Sequence, residues 1–356
     1  MQSISRGERI TLGLGVALTA LAGALHYLHA GDVLTFIASA AALSLLATAV
    51  GHGTEQLGSR MGPGATGMLQ SALGNLPELF ICIFSLRAGL VDVVKSALIG
   101  SMLANSLLVL GLAVIVGGIR NGTQRFSAES PRMIVTLMMI AVAALMVPTI
   151  ADGLHTPAGS HEAALSAACA LVLIVVFLAS VPFSLSADPA IRPDPEPEPV
   201  DHAAWPMAVA IGVLSVAGVG AAFVSEWFVD AMLPATRSLG ISEAFTGFVI
   251  VAIAGNAVEN VVGIQLAAKN RMDYALSVIL NSSLQIALLV TPILVFASFF
   301  IGPTPLTLVL APLLVAALAL ATVVTAFITF DGKSIWMEGV ALVGLYCIIA
   351  AAFWWG

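Results

Sequence analysis

The sequence predicts an all-α integral membrane protein of about eleven transmembrane helices, and three observations predict it. Apolar residues make up 59% of the chain and charged residues only 9%, where a soluble domain carries about 25%. The mean hydropathy is +1.04. So few charges cannot cover a globular surface in water, although they suffice in lipid. The apolar residues also gather into runs of about 20, the length that crosses a bilayer. No run alternates with a period of two, which argues against a β-barrel.

The first run, 10–29, follows Arg6 and Arg9. It is long for the apolar core of a signal peptide, and Leu28-His29-Ala30 lacks small residues at both cleavage positions, so it is read as a retained helix. Runs at 33–52, 63–86, 93–117, 131–150 and 161–185 follow. The pattern then breaks at 188–201, DPAIRPDPEPEPVD. Its prolines forbid a helix and favour an extended, semi-rigid tether. Asp188, Asp194, Glu196, Glu198 and Asp201 make it an acidic, solvated linker that would also attract cations. Runs at 205–225, 241–268, 272–299, 304–329 and 335–355 complete the set.

Alternate crossing puts Arg6, Arg9, Arg60, Arg120, Arg125, Arg132, Arg192, Lys269, Arg271 and Lys333 on one side, and only Arg87, Lys95 and Arg237 on the other. The positive-inside rule therefore predicts a cytoplasmic N-terminus and an outside C-terminus. No targeting segment is recognised, so the expected location is a prokaryotic plasma membrane. The net charge of −7 comes largely from the linker, and no nucleic-acid partner is expected. The bilayer is the partner.

The two halves echo one another. Residues 74–78 read GNLPE and residues 255–259 read GNAVE, an offset of 181, at which Ser101 also falls on Ser282. Thr54-Glu55 resembles Ser225-Glu226. The organisation read from this is an N-terminal helix (1–30), a first five-helix repeat (31–186), the linker (187–204) and a second five-helix repeat (205–356). Five is odd, so the second copy enters the membrane inverted, the architecture of secondary transporters.

Glu78 and Glu259 lie well inside spans, where a carboxylate costs several kcal/mol unless paired, protonated or bound to a cation. Asn75 and Asn256 precede them by three residues, on the same helix face. Each Asn follows a glycine that admits close approach. Pro77 is expected to kink the first motif and free the Leu73 carbonyl, whereas Val258 stands in the second. Two carboxylates, two amide oxygens and backbone carbonyls form a hard, oxygen-only set, which suits Ca2+ better than Mg2+ or a softer metal. Without the ion, the same oxygens can take up protons. Ser101 and Asn105 in one half, and Ser282, Ser283 and Gln285 in the other, are candidates for the ion path or for helix contacts. Glu55 and Glu226 are candidates for its entrances. Cys82, Cys169 and Cys347 lie in apolar runs without metal-ligand spacing and are read as core residues. No His-Glu zinc motif or nucleophile with a base partner appears in the spans, so no enzyme and no cofactor is expected.

At these residues the sequence resembles the cation/proton exchanger branch of the Ca2+:cation antiporter superfamily. The resemblance is carried by TEQLGSRMGPGATGMLQSALGNLPEL, LIGSMLANSLLVLG, SEWFVDAMLPATRSLG, GNAVEN and NSSLQIALLVTPILV, in that order. It implies eleven helices, an acidic cytoplasmic linker after the sixth, and central glutamates matching Glu78 and Glu259. It also implies exchange of Ca2+ for H+ by helices that slide against a fixed scaffold. The chain departs from the family pattern at Asn260, where His is usual, at Asn281, where Gly is common, and in its proline-rich linker. The same build using Na+, K+ or Mn2+, and a cation channel, stay open as alternatives.

Overall fold

The computed structural model describes residues 5–58, 73–185 and 205–355, and within them the chain is nearly all helical. In order the helices are α1 (Arg6–Tyr27), α2 (Asp32–Gly58), α3 (Leu76–Arg87), α4 (Val91–Asn121), α5 (Glu129–Gly153), α6 (Glu162–Leu185), α7 (Met207–Leu239), α8 (Glu243–Gly255), α9 (Ala257–Ala268), α10 (Met272–Ile301), α11 (Pro312–Phe330) and α12 (Trp336–Trp354). Among the described residues nine of these are long and apolar enough to cross a membrane. The pair α8–α9, bent by 63°, makes a tenth candidate span. The segment expected at 63–86 is described only from residue 73 onward. Its beginning and the 187–204 linker lie outside the described residues.

Three boundaries differ from the sequence reading. The span expected at 241–268 is broken at Asn256. The helix expected to stop at 225 continues to Leu239. At 1.5 Å per residue, α7 is about 50 Å long, against a hydrocarbon layer of about 30 Å. Glu226 and Asp230 end the apolar run but not the helix, because a helix leaving lipid no longer needs apolar side chains. Thirdly, the helix expected from 304 begins at Pro312. Pro303, Pro305 and Pro312 push the residues before them out of the helical region, and Pro312 sits where a helix tolerates it, in the first turn.

Residues 302–311 instead form an extended strap. Leu306, Leu308 and Leu310 are buried, and their backbone N–H groups donate to Ser298 Oγ of α10 (2.7 Å), Ser166 Oγ of α6 (2.8 Å) and Thr149 Oγ1 of α5 (2.9 Å). Lys95 Nζ of α4 donates to the Val309 carbonyl at 2.6 Å, and Thr149 Oγ1 to that of Leu308. Non-helical backbone at membrane depth is tolerated only when its polar groups are satisfied inside the protein. Here four helices satisfy them.

The loops sort to two ends, as alternate crossing requires. At one end Gln124–Arg125 (β1) pairs antiparallel with Lys333–Ser334 (β2). Asn121 and Gln124 donate to the carbonyls that end α9. At the other end Lys95 meets the strap and Pro303 packs on Gly89. Between them α2 runs antiparallel along α7, with Phe36 stacked on Phe228 (4.7 Å) and Leu46 against Gly220.

Candidate ion-binding site

Both Gly-Asn motifs break their helices. Asn75 (φ −87°, ψ 11°) is the N-cap of α3, and Asn256 (φ −105°, ψ 25°) ends α8 and starts α9. The break thus precedes Pro77 and recurs in the second motif without a proline, so the Gly-Asn pair, rather than Pro77, marks it. Each break puts a glutamate in the first turn of a new helix, where the helix dipole favours negative charge.

The two motifs then meet across their glycines. A methyl placed on Gly255 would lie 3.0 Å from Glu78 Cβ, and one on Gly74 would lie 3.1 Å from Glu259 Oε1. Each glycine makes room for the other motif's glutamate. α4 is drawn in the same way towards α8, because Gly100 and Gly247 present no side chain where the two cross.

Asn256 is the hub of the polar network. Its Nδ2 donates to Ser101 Oγ (3.0 Å), to the Ala252 carbonyl (2.9 Å) and, at 3.5 Å, to Glu78 Oε2. Its Oδ1 accepts from Asn105 Nδ2 (3.3 Å) and Ser282 Oγ (3.4 Å). Asn105 Nδ2 also donates to Ser282 Oγ at 3.0 Å. Asn75 Nδ2 donates to Gln285 Oε1 at 3.3 Å. Ser283 Oγ lies 3.3 Å from Ser106 Oγ and from the Met102 carbonyl, and Thr325 of α11 donates to the Ser106 carbonyl. Glu78 is 0% and Glu259 9% exposed.

These amides turn their N–H groups on one another and leave oxygens over. Glu78 Oε1, Glu259 Oε2, Asn75 Oδ1 and Asn105 Oδ1 are buried and accept no hydrogen bond. Buried polar atoms are ordinarily paired. Two of these oxygens belong to the carboxylates and two to amides, the kind of oxygen-only donors that a hard cation takes. No group of three His, Cys, Asp or Glu side chains converges among the described residues, so the carboxylates need these neutral oxygens. Three of the helices running through this region, α4, α8 and α10, each carry a π-turn (Ala104–Val109, Thr246–Val251, Ile286–Val290). Such turns occur often at functional sites, and Asn105 and Ser106 stand in the first of them.

The family model for the sodium/calcium exchanger protein matches residues 32–186 and 209–355. This chain belongs to the sodium/calcium exchanger protein family. It is 37% identical over 352 residues to a Ca2+/H+ antiporter of Synechocystis, with 94% of each chain covered. It is 33% identical to the Ca2+/H+ antiporter ChaA of Bacillus subtilis, with 97% of each covered. A solved structure of native YfkE superposes with a TM-score of 0.81 at 32% identity, covering 97% of this chain and 98% of that one.

In this exchanger-family chain the structure gathers Asn75, Glu78, Ser101, Asn105, Asn256, Glu259, Ser282, Ser283 and Gln285 into one buried region. Glu55 and Glu226 lie elsewhere. Glu55 is exposed in the last turn of α2. Glu226 lies well inside α7, 3.6 Å from Arg87, a half-exposed pair of small energetic weight. It lines an apolar groove of about 520 Å³ with Leu76, Phe80 and Phe84 of α3. Position 78 is rotated by about 200° from position 76 around a helix, so that groove is on the face of α3 turned away from Glu78. The sequence pattern does not single out Ser106 or Thr325. The offset of 177 that pairs Ser106 with Ser283 differs from the 181 between the two Gly-Asn motifs, which hides the first, and a threonine in an apolar run gives no signal of its own.

Proposed function

We propose that the protein is a secondary active antiporter that exchanges Ca2+ for H+ by alternating access, with Glu78 and Glu259 holding either cation. Asn75 and Asn256 act with them as oxygen ligands. One observation carries the reading: two buried carboxylates share the region with Asn75 Oδ1 and Asn105 Oδ1, which accept no hydrogen bond, while Asn256 Oδ1 would exchange its bonds from Asn105 and Ser282 for the ion. The names of the Synechocystis and Bacillus subtilis relatives support the choice of ions.

Charge explains the coupling. A site with two carboxylates is neutral when it holds Ca2+ and neutral again when it holds two protons. Empty, it carries two negative charges in a water-poor interior, which costs several kcal/mol. Changing access with an empty site is therefore disfavoured, whereas changing it with either load is not. That difference is what separates an exchanger from a leak. Ser101, Asn105 and Ser282 hold Asn256 in place, and Gln285 holds Asn75. In this proposal the chain is two inverted repeats joined by the acidic linker, with a cytoplasmic N-terminus and an outside C-terminus, in a prokaryotic plasma membrane.

The test uses purified protein in proteoliposomes with the membrane potential clamped at zero. An acidic interior should drive Ca2+ inward, a protonophore should stop it, and Glu78→Gln and Glu259→Gln should each abolish the flux. Near-normal flux in either variant would sink the two-carboxylate site. Flux that ignores the pH gradient but follows Na+ or K+ would replace the proton as the counter-ion.

A further inference from the structure

α3 carries a second polar feature that the exchange site does not use. Glu78, Cys82 and Ser85 follow at i, i+4 and i+7, one stripe along one helix face, in a helix otherwise almost wholly apolar as far as Arg87. Cys82 and Ser85 are each 1% exposed. Cys82 forms no disulfide, and Ser85 Oγ is buried without a hydrogen-bond partner. The apolar groove lies on the opposite face, and the burial of all three side chains shows this stripe turned into the protein. An unpartnered hydroxyl in a lipid-embedded interior is costly unless something polar reaches it in another state. Beyond Ser85 the stripe ends where Gly302 packs on the Leu86 carbonyl and Pro303 on Gly89.

We propose that the Glu78–Cys82–Ser85 face of α3 lines the route by which hydrated cations pass between the site and the Arg87 end of the membrane, shut in this structure where the strap begins. The assignment rests on Glu78 belonging to the ion site. Cys82 stands one turn from that site and Ser85 about one turn further. When the route opens, water and cations reach both. Cys82 is therefore a built-in reporter for a cationic thiol reagent.

The experiment labels the full chain in detergent with 2-(trimethylammonium)ethyl methanethiosulfonate and follows each cysteine by peptide mass. The Cys82 sulfur attacks the reagent's sulfenyl sulfur, a disulfide forms, methanesulfinate leaves with the bonding pair, and the thiol proton goes to buffer. Cys82 should be labelled in Ca2+-free solution. Filling the site with Ca2+ cancels the two carboxylate charges, about 6 Å away across water, and so removes an attraction worth about tenfold in the rate of a singly charged cationic reagent. Cys169 and Cys347, partly buried and exposed respectively, serve as controls whose labelling ignores Ca2+. In a Cys82→Ala background, Ser85→Cys should react at least as fast as Cys82, being nearer the Arg87 end. Labelled wild-type protein should lose Ca2+ flux in proteoliposomes and regain it with dithiothreitol, each sample being compared with its own untreated rate. No labelling of Cys82, labelling indifferent to Ca2+, or labelled protein with full flux overturns the route. These results combined with an inactive Glu78→Gln sink the route alone, whereas an active Glu78→Gln sinks the site itself. If Cys82→Ala does not fold, the wild-type rates still decide.

Discussion

Replacing Gly255 with alanine tests the crossing of the two motifs. The added methyl would lie 3.0 Å from Glu78 Cβ, 3.4 Å from its Cα and 3.6 Å from its Cγ, whereas carbon atoms rest at about 3.5–4.0 Å. The first two are at the root of the side chain, so a rotamer change cannot relieve the clash. α3 and α8 must separate by about 0.5–1 Å. Ca2+ takes its oxygens at about 2.3–2.6 Å, so a shift of that size takes Glu78 out of coordination range. Overpacking costs about 1–3 kcal/mol, which corresponds to roughly 5- to 140-fold in an equilibrium constant. Gly255→Ala should accordingly raise the Kd for Ca2+ by about that factor, measured by calorimetry, and lower the midpoint of thermal unfolding. Gly74→Ala supplies the contrast. Among the described residues its methyl meets only Glu259 Oε1, at 3.1 Å, the far end of a flexible side chain, so affinity should fall while the midpoint hardly moves. A wild-type Kd for Gly255→Ala would refute the idea that the glycines make room for the glutamates.

Four further outcomes are expected. Asn256→Ala removes the donor to Ser101, the Ala252 carbonyl and Glu78 at once; calorimetry should show Ca2+ binding weakened about tenfold or more, at about 1 kcal/mol per lost bond, and unchanged binding would remove Asn256 from the site. Lys95→Met leaves the Val309 carbonyl without its charged donor and should cost about 1.5–3 kcal/mol; a wild-type unfolding midpoint would mean that the strap does not need this anchor. In the proposed site protons and Ca2+ compete for the same oxygens, so Ca2+ affinity should fall as pH falls, and Ca2+ added to weakly buffered protein should release protons; a titration with no pH change would separate the two ions. Exchanging the five acids of residues 188–201 for Ser or Gln should leave maximal flux intact and at most weaken apparent affinity at low Ca2+, whereas loss of flux in correctly inserted protein would make the linker a working part.

The membrane class was legible because composition alone excludes a water-facing surface. Glu78 and Glu259 were legible because a carboxylate within an apolar run has no bland explanation. The partners of those glutamates were only half legible. Ser101 and Asn256 could be named as polar, but the sequence does not say that Asn256 reaches Ser101 and Ser282 together, since that depends on how closely α4 and α8 cross. Pro77 drew attention that belonged to Gly74-Asn75, because a proline advertises a break and an asparagine does not. The strap was misread as helix for a related reason. Its leucines keep the hydropathy of a span, and hydropathy does not report backbone conformation. Two of the three hydroxyls that hold it, those of Thr149 and Ser166, lie more than 140 residues away, beyond any local pattern.

That strap is held much as a bound peptide is held by a receptor. Its main chain is addressed by hydroxyls and one ammonium, and its alternate leucines fill pockets, the logic by which extended ligands are recognised. The instructions for its conformation are therefore written in α4, α5, α6 and α10 rather than in residues 302–311. Substituting the strap's outward residues should matter little, whereas losing one hydroxyl on a distant helix unseats it. A chain cut near Thr304 would leave the strap in its seat, because the bonds that hold it run to other helices and not through the peptide link to α10.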